Sequence, residues 1–223
     1  MNRFDNIDCM IGMAEYEDNH FDLAIVDPPY GINGHKQRVF DDGKRWDNNR
    51  PSKEYFNELK RVSLNQIVWG GNYFNLPIVE GWICWDKTYS DDIKGGKLTQ
   101  GGCPRENMSD FELIWNSVET KAKFIRYTYV GNLNGFNDKL KVDYKQQKKI
   151  HITQKPIALY KWLLTKYAKQ GDKILDTHVG SASSLIACED MGFEYVGFEL
   201  DKDYYDSAQK RLKQFRSQLK LAI

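Results

Sequence analysis

The sequence predicts an α/β fold built on a doubly wound, mostly parallel sheet with helices on both faces. Three observations carry that expectation. Short apolar runs end in an acidic residue at three places: residues 22–26 before Asp27, 173–175 before Asp176, and 195–198 before Glu199. Helical periodicity fills much of the chain between such runs. Finally, residues 173–191 read as strand, small-residue turn and helix, an order that points backbone N–H groups at a ligand.

Taken in order, a short strand over 4–7 leads to a helix over 9–17, with Asp8 as its N-cap. The strand over 22–26, Asp-Leu-Ala-Ile-Val, is apolar enough to be buried. A helix over 52–61 follows, then strands over 65–69, 82–85 and 111–115. Gly95-Gly96 and Gly101-Gly102 mark 88–110 as a loop, expected to be mobile. After a basic insertion at about 117–150, a helix opens at Pro156, where proline suits the first turn. It runs through Trp162, Leu163, Leu164 and Tyr167. The strand before Asp176 comes next, then a helix over 182–191 that buries Leu185, Ile186 and Ala187. The strand before Glu199 precedes a last helix from Asp201 onward, decorated by Arg211, Lys213, Arg216 and Lys220, for which a solvated face is the expectation.

The whole chain, 1–223, is of a size for a single domain with an ordinary core, and its 41% hydrophobic and 28% charged residues fit a globular protein. Cys9, Cys84, Cys103 and Cys188 lie far apart, without metal-ligand spacing or a secretory framework, so no metal is expected. The first residues lack an apolar signal core, and no apolar run is long enough to cross a bilayer. A cytoplasmic protein without membrane contact is the expectation. Net charge is only +1, yet residues 117–151 concentrate Lys121, Lys123, Arg126, Lys139, Lys141, Lys145, Lys148 and Lys149, interleaved with Phe124, Tyr127, Tyr129, Phe136 and Tyr144. A solvated loop explains such a segment, and so do phosphate contacts and base readout.

Chemistry gathers at the strand ends. Asp27-Pro28-Pro29-Tyr30 sets an acceptor, a rigid backbone and an aromatic face side by side. Proline fixes φ and donates no N–H, so both proline carbonyls can turn to a ligand. That set suits gripping a flat heterocycle by its exocyclic amine; a strand-ending turn would use the same residues. Asp176 and Glu199 at neighbouring strand tips suit a nucleoside-containing cofactor, with Glu199 accepting from a ribose diol. His151-Ile152-Thr153-Gln154-Lys155-Pro156 is either a plain helix start or a place where Thr153, Lys155 and backbone N–H groups hold a carboxylate.

Asp27-Pro28-Pro29-Tyr30, then Thr153-Gln154-Lys155-Pro156, then Asp176-Thr177-His178-Val179-Gly180-Ser181 resemble, in that order, the amino-methylating DNA methyltransferases of permuted motif order, the β class. The small phage-type adenine enzymes are the nearest likeness, which extends to residues 68–74 and 82–87. The resemblance implies a Rossmann-like methyltransferase fold with an antiparallel hairpin at one sheet edge. It implies S-adenosylmethionine as cofactor, and as substrate an adenine flipped out of duplex DNA and methylated at its 6-amino group. Asp176, Gly180 and Ser181 would form the loop beneath the methionine part, Glu199 would hold the ribose, and Thr153 and Lys155 would lie near the methionine carboxylate. Asp8 would bind the amino group of the cofactor's adenine, although a helix cap explains it equally well. Asp27 and the Pro28 carbonyl would accept the two N–H protons of the target amine, making its nitrogen more tetrahedral. Tyr30 would stack on the base. Segment 117–151 would contact DNA, and a homodimer and a role in restriction-modification or in a phage are further implications.

The chain departs from that family at two positions. Ala182 stands where many members have glycine, and His178 where many have phenylalanine. Alternatives within reach of the same residues are RNA or the cytosine amine as substrate, and a catalytically inactive DNA-binding subunit. Aspartate at 27 favours adenine, because cytosine enzymes of this kind more often carry serine there.

Overall fold

The computed structural model describes residues 2–32, 47, 49–87, 109–130, 133–136, 150 and 154–221; the side chains of 128–130, 133–136 and 219–221 are not part of that description. The loop expected at 88–110, all but its last two residues, and positions 137–149 of the basic insertion lie outside the described residues, as does Thr153.

Among the described residues the strands are β1 (Arg3–Asp5), β2 (Phe21–Val26), β3 (Ser63–Trp69), β4 (Trp82–Asp86), β5 (Phe111–Asn116), β6 (Lys123–Val130), β7 (Leu133–Phe136), β8 (Lys173–Asp176) and β9 (Glu194–Phe198). The helices are α1 (Cys9–Met13), α2 (Lys53–Val62), α3 (Ile157–Tyr167), α4 (Ser183–Met191) and α5 (Lys202–Leu221). The strands form one sheet in the order β1-β9-β8-β2-β3-β5-β4-β6-β7. Neighbours from β1 to β3 are parallel, and so are β4 and β6; β5 is antiparallel to both its neighbours, and β7 closes the edge as the antiparallel partner of β6. The expected doubly wound sheet with an antiparallel hairpin at one edge is thus present.

Alternation within each strand divides the core between the two faces. In β2, Leu23 and Ile25 pack with Trp69, Leu163, Leu185 and Leu212 beneath α3, α4 and α5. Ala24 and Val26 face the other way, onto Met13, Leu59, Val62 and Phe198 with α1 and α2. Because both faces are covered, the strand reads as an unbroken apolar run rather than as an alternating one.

Two local outcomes differ from the sequence expectation. Helix α1 ends at Met13 instead of continuing to 17. Arg61 reaches from α2 to the Met13 and Tyr16 carbonyls at 3.2 and 2.9 Å, and Asn19, at φ 58, turns the chain toward β2. The long guanidinium satisfies carbonyls that a further helical turn would have used. The basic insertion also begins as sheet, since β6 buries Ile125 and Tyr127 and exposes Phe124. Its period-two pattern is masked in the sequence by the surrounding lysines.

The direction of each strand decides what meets at the site. The carboxyl ends of β1, β9, β8, β2, β3 and β4 share one edge of the sheet, while β5, running oppositely, brings its first residues there. The chain leaves β8 toward β9 and β2 toward β3, so the β8–β2 boundary is the switch point where α/β sheets open a crevice.

Candidate active site at the carboxyl edge of the sheet

Asp27 follows β2 at that switch point, with its side chain 17% exposed. The Tyr30 hydroxyl donates to Asp27 Oδ1 at 2.8 Å, and the Lys155 ammonium donates to Oδ2. Lys155 Nζ also lies 3.3 Å from the Tyr30 hydroxyl, 3.6 Å from Glu112 Oε2, and 4.9 Å from the centre of the Trp69 ring. Glu112, at the start of β5, in turn takes Lys87 on Oε1 at 3.2 Å. Two acids and two bases, contributed by four segments, thus form one chain of charge. Burial pushes the Asp27 carboxyl up, and Lys155 draws it part of the way back. Burial alone would lower Lys155 and raise Glu112, but the opposite charges outweigh it: Lys155 is raised and Glu112 lowered, so both stay ionised.

Tyr30 is held from several sides. Its ring stacks on Tyr73 at 4.9 Å between centroids and 16° between planes. Its backbone N–H and that of Gly31 donate to Asp47 Oδ1 at 2.7 and 2.9 Å, and Arg50 Nε donates to its carbonyl at 2.9 Å. Gly70 has φ 62, and a Cβ there would lie 2.4 Å from the Tyr30 ring. Glycine at this position is therefore demanded twice, by conformation and by space. Pro28 is buried and Pro29 partly so, continuing the turn between Asp27 and Tyr30.

One strand along, Asp176 accepts from the His178 N–H at 3.0 Å and from the Ser184 hydroxyl. Its burial pushes the carboxyl up to about 7, with those two donors opposing. Burial likewise lowers His178 to about 4, leaving a neutral ring against Thr177 and Tyr55. At the tip of β9, Glu199 accepts from the Gly180 N–H at 2.8 Å and the Asp201 N–H at 2.9 Å. Ser181 is buried, and Arg211 of α5 donates to its carbonyl at 2.7 Å. That arginine, expected on a solvated face, clamps the loop, just as Arg216 is bound to Glu189. Ala182 closes the loop at φ 60, the left-handed conformation for which glycine is the usual residue.

Asp8 caps α1 by accepting from the Met10 N–H at 2.8 Å. Asn6 ties β1 to the end of β9 by donating to the carbonyls of Glu199 and Leu200 at 2.8 and 3.0 Å. Asp8, Asp176 and Glu199 give this part of the edge an acceptor-rich, anionic character. Such a donor–acceptor balance fits a cofactor that carries ribose hydroxyls and cationic ammonium and sulfonium groups.

The sheet therefore brings Asp27, Tyr30 and Lys155 into one cluster and sets Asp176, Gly180, Ser181 and Glu199 in another beside it. Lys155, carried over to a cofactor carboxylate, has its ammonium on Asp27 and toward Glu112. Sequence reading passed over Glu112 and Asp47. A charged residue inside the apolar run Phe111-Glu112-Leu113-Ile114-Trp115 was a signal for the first; Asp47 stands in a polar stretch that offers none.

Residues 80–210 match the DNA methylase family of N6 and N4 methyltransferases. The chain is 27% identical over 229 residues to the type II methyltransferase M.HpaI of Haemophilus parainfluenzae, covering 90% of this chain and 70% of that protein. Among solved structures, the complex of M1.HpyAVI with SAM superposes with a TM-score of 0.59 at 20% identity, over 95% of this chain and all of that one. The cytosine-N4-specific PvuII DNA methyltransferase gives a TM-score of 0.56 at 10% identity, over 96% of this chain and 91% of that one. None of these names carries the narrower phage-type likeness. The family match takes in Lys155, Asp176, Gly180, Ser181 and Glu199, while Asp27 lies before it. The chain belongs to the N6/N4 DNA methylase family, enzymes that use S-adenosylmethionine to methylate an exocyclic amine of DNA, at N6 of adenine or N4 of cytosine.

Proposed function

We propose that this enzyme methylates the 6-amino group of an adenine flipped out of duplex DNA. The observation that carries the reading is the Asp27 carboxylate, set at the switch point beside Tyr30 and one strand from the acidic cofactor edge. The amine of adenine is a poor nucleophile because its lone pair is delocalised into the ring. Asp27 and the Pro28 carbonyl, accepting its two N–H protons, draw the nitrogen toward tetrahedral geometry and fix its direction. Pro29 keeps that turn rigid. Tyr30, backed by Tyr73, supplies the platform for the base, a contact worth roughly 1–3 kcal/mol in nucleic-acid systems. S-adenosylmethionine supplies a methyl group already activated on a sulfonium. Glu199 serves its ribose, Asp176, Gly180 and Ser181 its methionine part, and Asp8 its adenine, while the role assigned to Thr153 is to hold its carboxylate. Positioning supplies most of the rate, since extrusion of the base costs a few kcal/mol and the displacement needs no metal.

The entire chain, 1–223, acts as one catalytic domain in this reading, with 117–150 as the recognition insertion. Lys121 and Lys123 are exposed, and the Arg126 guanidinium lies 5.4 Å from the centre of the exposed Phe124 ring, features that support a nucleic-acid face. The likeness to an N4-specific structure gives cytosine as the second reading. A methyl-transfer assay on unmethylated duplex DNA, followed by nucleoside mass spectrometry, separates them. 6-Methyladenine is the expected product. 4-Methylcytosine would move the assignment to the second base, and cofactor binding with no product on DNA would reject both.

A further inference from the structure

The charged chain beyond Asp27 has a feature that a static salt bridge does not need. Lys155 Nζ is bound to Asp27, yet it lies 3.6 Å from Glu112 Oε2, just outside hydrogen-bond reach. That oxygen is buried and has no hydrogen-bond partner among the described residues. Its twin, Oε1, is engaged by Lys87, which is itself fixed by the Ser109 hydroxyl at 3.1 Å. A buried carboxylate oxygen that has only a long ion pair and no hydrogen bond is costly, so its persistence points to a use.

The chemistry at Asp27 supplies that use. In the structure both Asp27 oxygens are occupied, by Tyr30 and by Lys155. An ammonium held on Oδ2 neutralises the charge that must draw on the incoming N–H. For Asp27 to act as a strong acceptor, Lys155 has to withdraw, and a buried lysine cannot withdraw into an apolar wall. Glu112 Oε2 is the neighbouring place where its charge remains paired.

We propose that Lys155 has two stations, Asp27 when the site is empty and Glu112 when a base amine engages Asp27, and that Glu112 is the positioning residue that makes the second station available. The proposal rests on the reading of Asp27 as amine acceptor. Lys87 orients Glu112 from β4 by holding Oε1, which leaves Oε2 turned to Lys155. The movement required is about one ångström at the end of a flexible side chain.

The test uses the whole enzyme on its duplex substrate. Glu112→Gln keeps the size of the side chain but removes the charge that receives Lys155. Turnover is expected to fall at least about tenfold, the scale of one charge-assisted hydrogen bond, with cofactor affinity unchanged. The deficit shrinks as pH rises, because Lys155 without Glu112 loses its proton sooner and a neutral amine no longer cancels the charge of Asp27. The groups facing Lys155 are Asp27 and Tyr30 after β2, Trp69 of β3 and Glu112 of β5; of these only Glu112 is changed. The double variant Lys87→Gln/Glu112→Gln is electrically balanced and contains no lysine left without its partner, so it serves if the single variant is unstable. If Glu112 only balances buried charge, the double variant recovers wild-type turnover, which overturns the proposal; if it is a station, turnover stays low. Wild-type turnover and pH profile in Glu112→Gln overturn it as well. Asp27→Asn provides the separate control. If that variant is inactive while Glu112→Gln is normal, the station alone is wrong. If Asp27→Asn still transfers methyl groups, the amine-acceptor reading falls and takes the station with it.

Discussion

The two halves of the catalytic edge bury carboxylates in opposite ways. At the end of β2, Asp27 meets a cation, Lys155, whose charge is shared with Glu112. At the ends of β8 and β9, Asp176 and Glu199 meet, among the described residues, only neutral donors: a serine hydroxyl and the backbone N–H groups of His178, Gly180 and Asp201. The first half is close to charge-balanced, and the second keeps its acidity in reserve. The contrast teaches that position at a strand tip fixes where an acid stands, while its partners fix what it can hold. A balanced site suits a neutral base, and an acidic one suits a cationic cofactor.

The comparison is sharpest at its two acceptors. Asp27→Ala is expected to lower methyl transfer by at least about 10²–10³-fold, the scale of losing one preorganised polar contact to a transition state. Calorimetric affinity for S-adenosylmethionine should stay close to that of the wild type. Equal loss of both would erase the division between the halves. Glu199→Gln should do the converse, weakening cofactor binding about 10–100-fold by removing a charged acceptor. At saturating cofactor its turnover should approach that of the parent, and a turnover defect that saturation does not cure would contradict the assignment.

Asp176 sharpens the contrast through pH. Its folded carboxyl lies at about 7 against an ordinary 3.8, so the native state binds more protons than the unfolded chain between those values. Stability from this group is full below 3.8, declines as pH rises, and is lost above about 7. Asp176→Asn should therefore stabilise the cofactor-free protein by about 1–3 kcal/mol at pH 8, with the gain shrinking toward pH 5. Thermal melts of the two proteins at matched pH read this directly. His178 acts with the opposite sign, losing stability as pH falls from 6.5 through about 4, but it is common to both proteins and cancels. A gain independent of pH would show that the carboxyl is not strained by burial.

The smallest effect concerns Ala182. Its φ of 60 costs an alanine about 1–2 kcal/mol relative to a residue without Cβ. Part of that is offset by the greater chain entropy of glycine when unfolded, and part by loss of a buried methyl group. Ala182→Gly should raise stability by up to about 1 kcal/mol, with cofactor affinity equal or better. Denaturant midpoints that fall instead would show that the methyl packs against the loop more strongly than the backbone resists it.

The sheet was legible because strands covered on both faces need continuous apolar runs, as in 22–26 and 173–175, and because turn residues punctuate them. Strands β6 and β7 were not, since lysines and aromatics of the insertion outweigh a period of two. The shortened α1 was hidden for a different reason: its terminal carbonyls are satisfied by Arg61, forty-eight residues beyond Met13. At the site, Asp27, Asp176 and Glu199 announced themselves by standing at strand ends. Glu112 did not, because an acid at the start of an antiparallel strand reaches the same edge only through the topology of β3, β5 and β4. Gly70 belongs between these cases: the paired glycines were visible, but the Tyr30 ring that requires the first of them was not.

By itself, the sequence determined the parallel core, the acids at its strand tips and the family they resemble, because local periodicity and turn chemistry act over a few residues. Only the tertiary structure decided which groups meet: that Lys155 lies on Asp27 with Glu112 beside it, and that Arg211 ties down the loop at Ser181. Those pairings depend on strand direction and helix placement across 30 to 128 residues of chain, and the partner of a buried charge is set by distance in space.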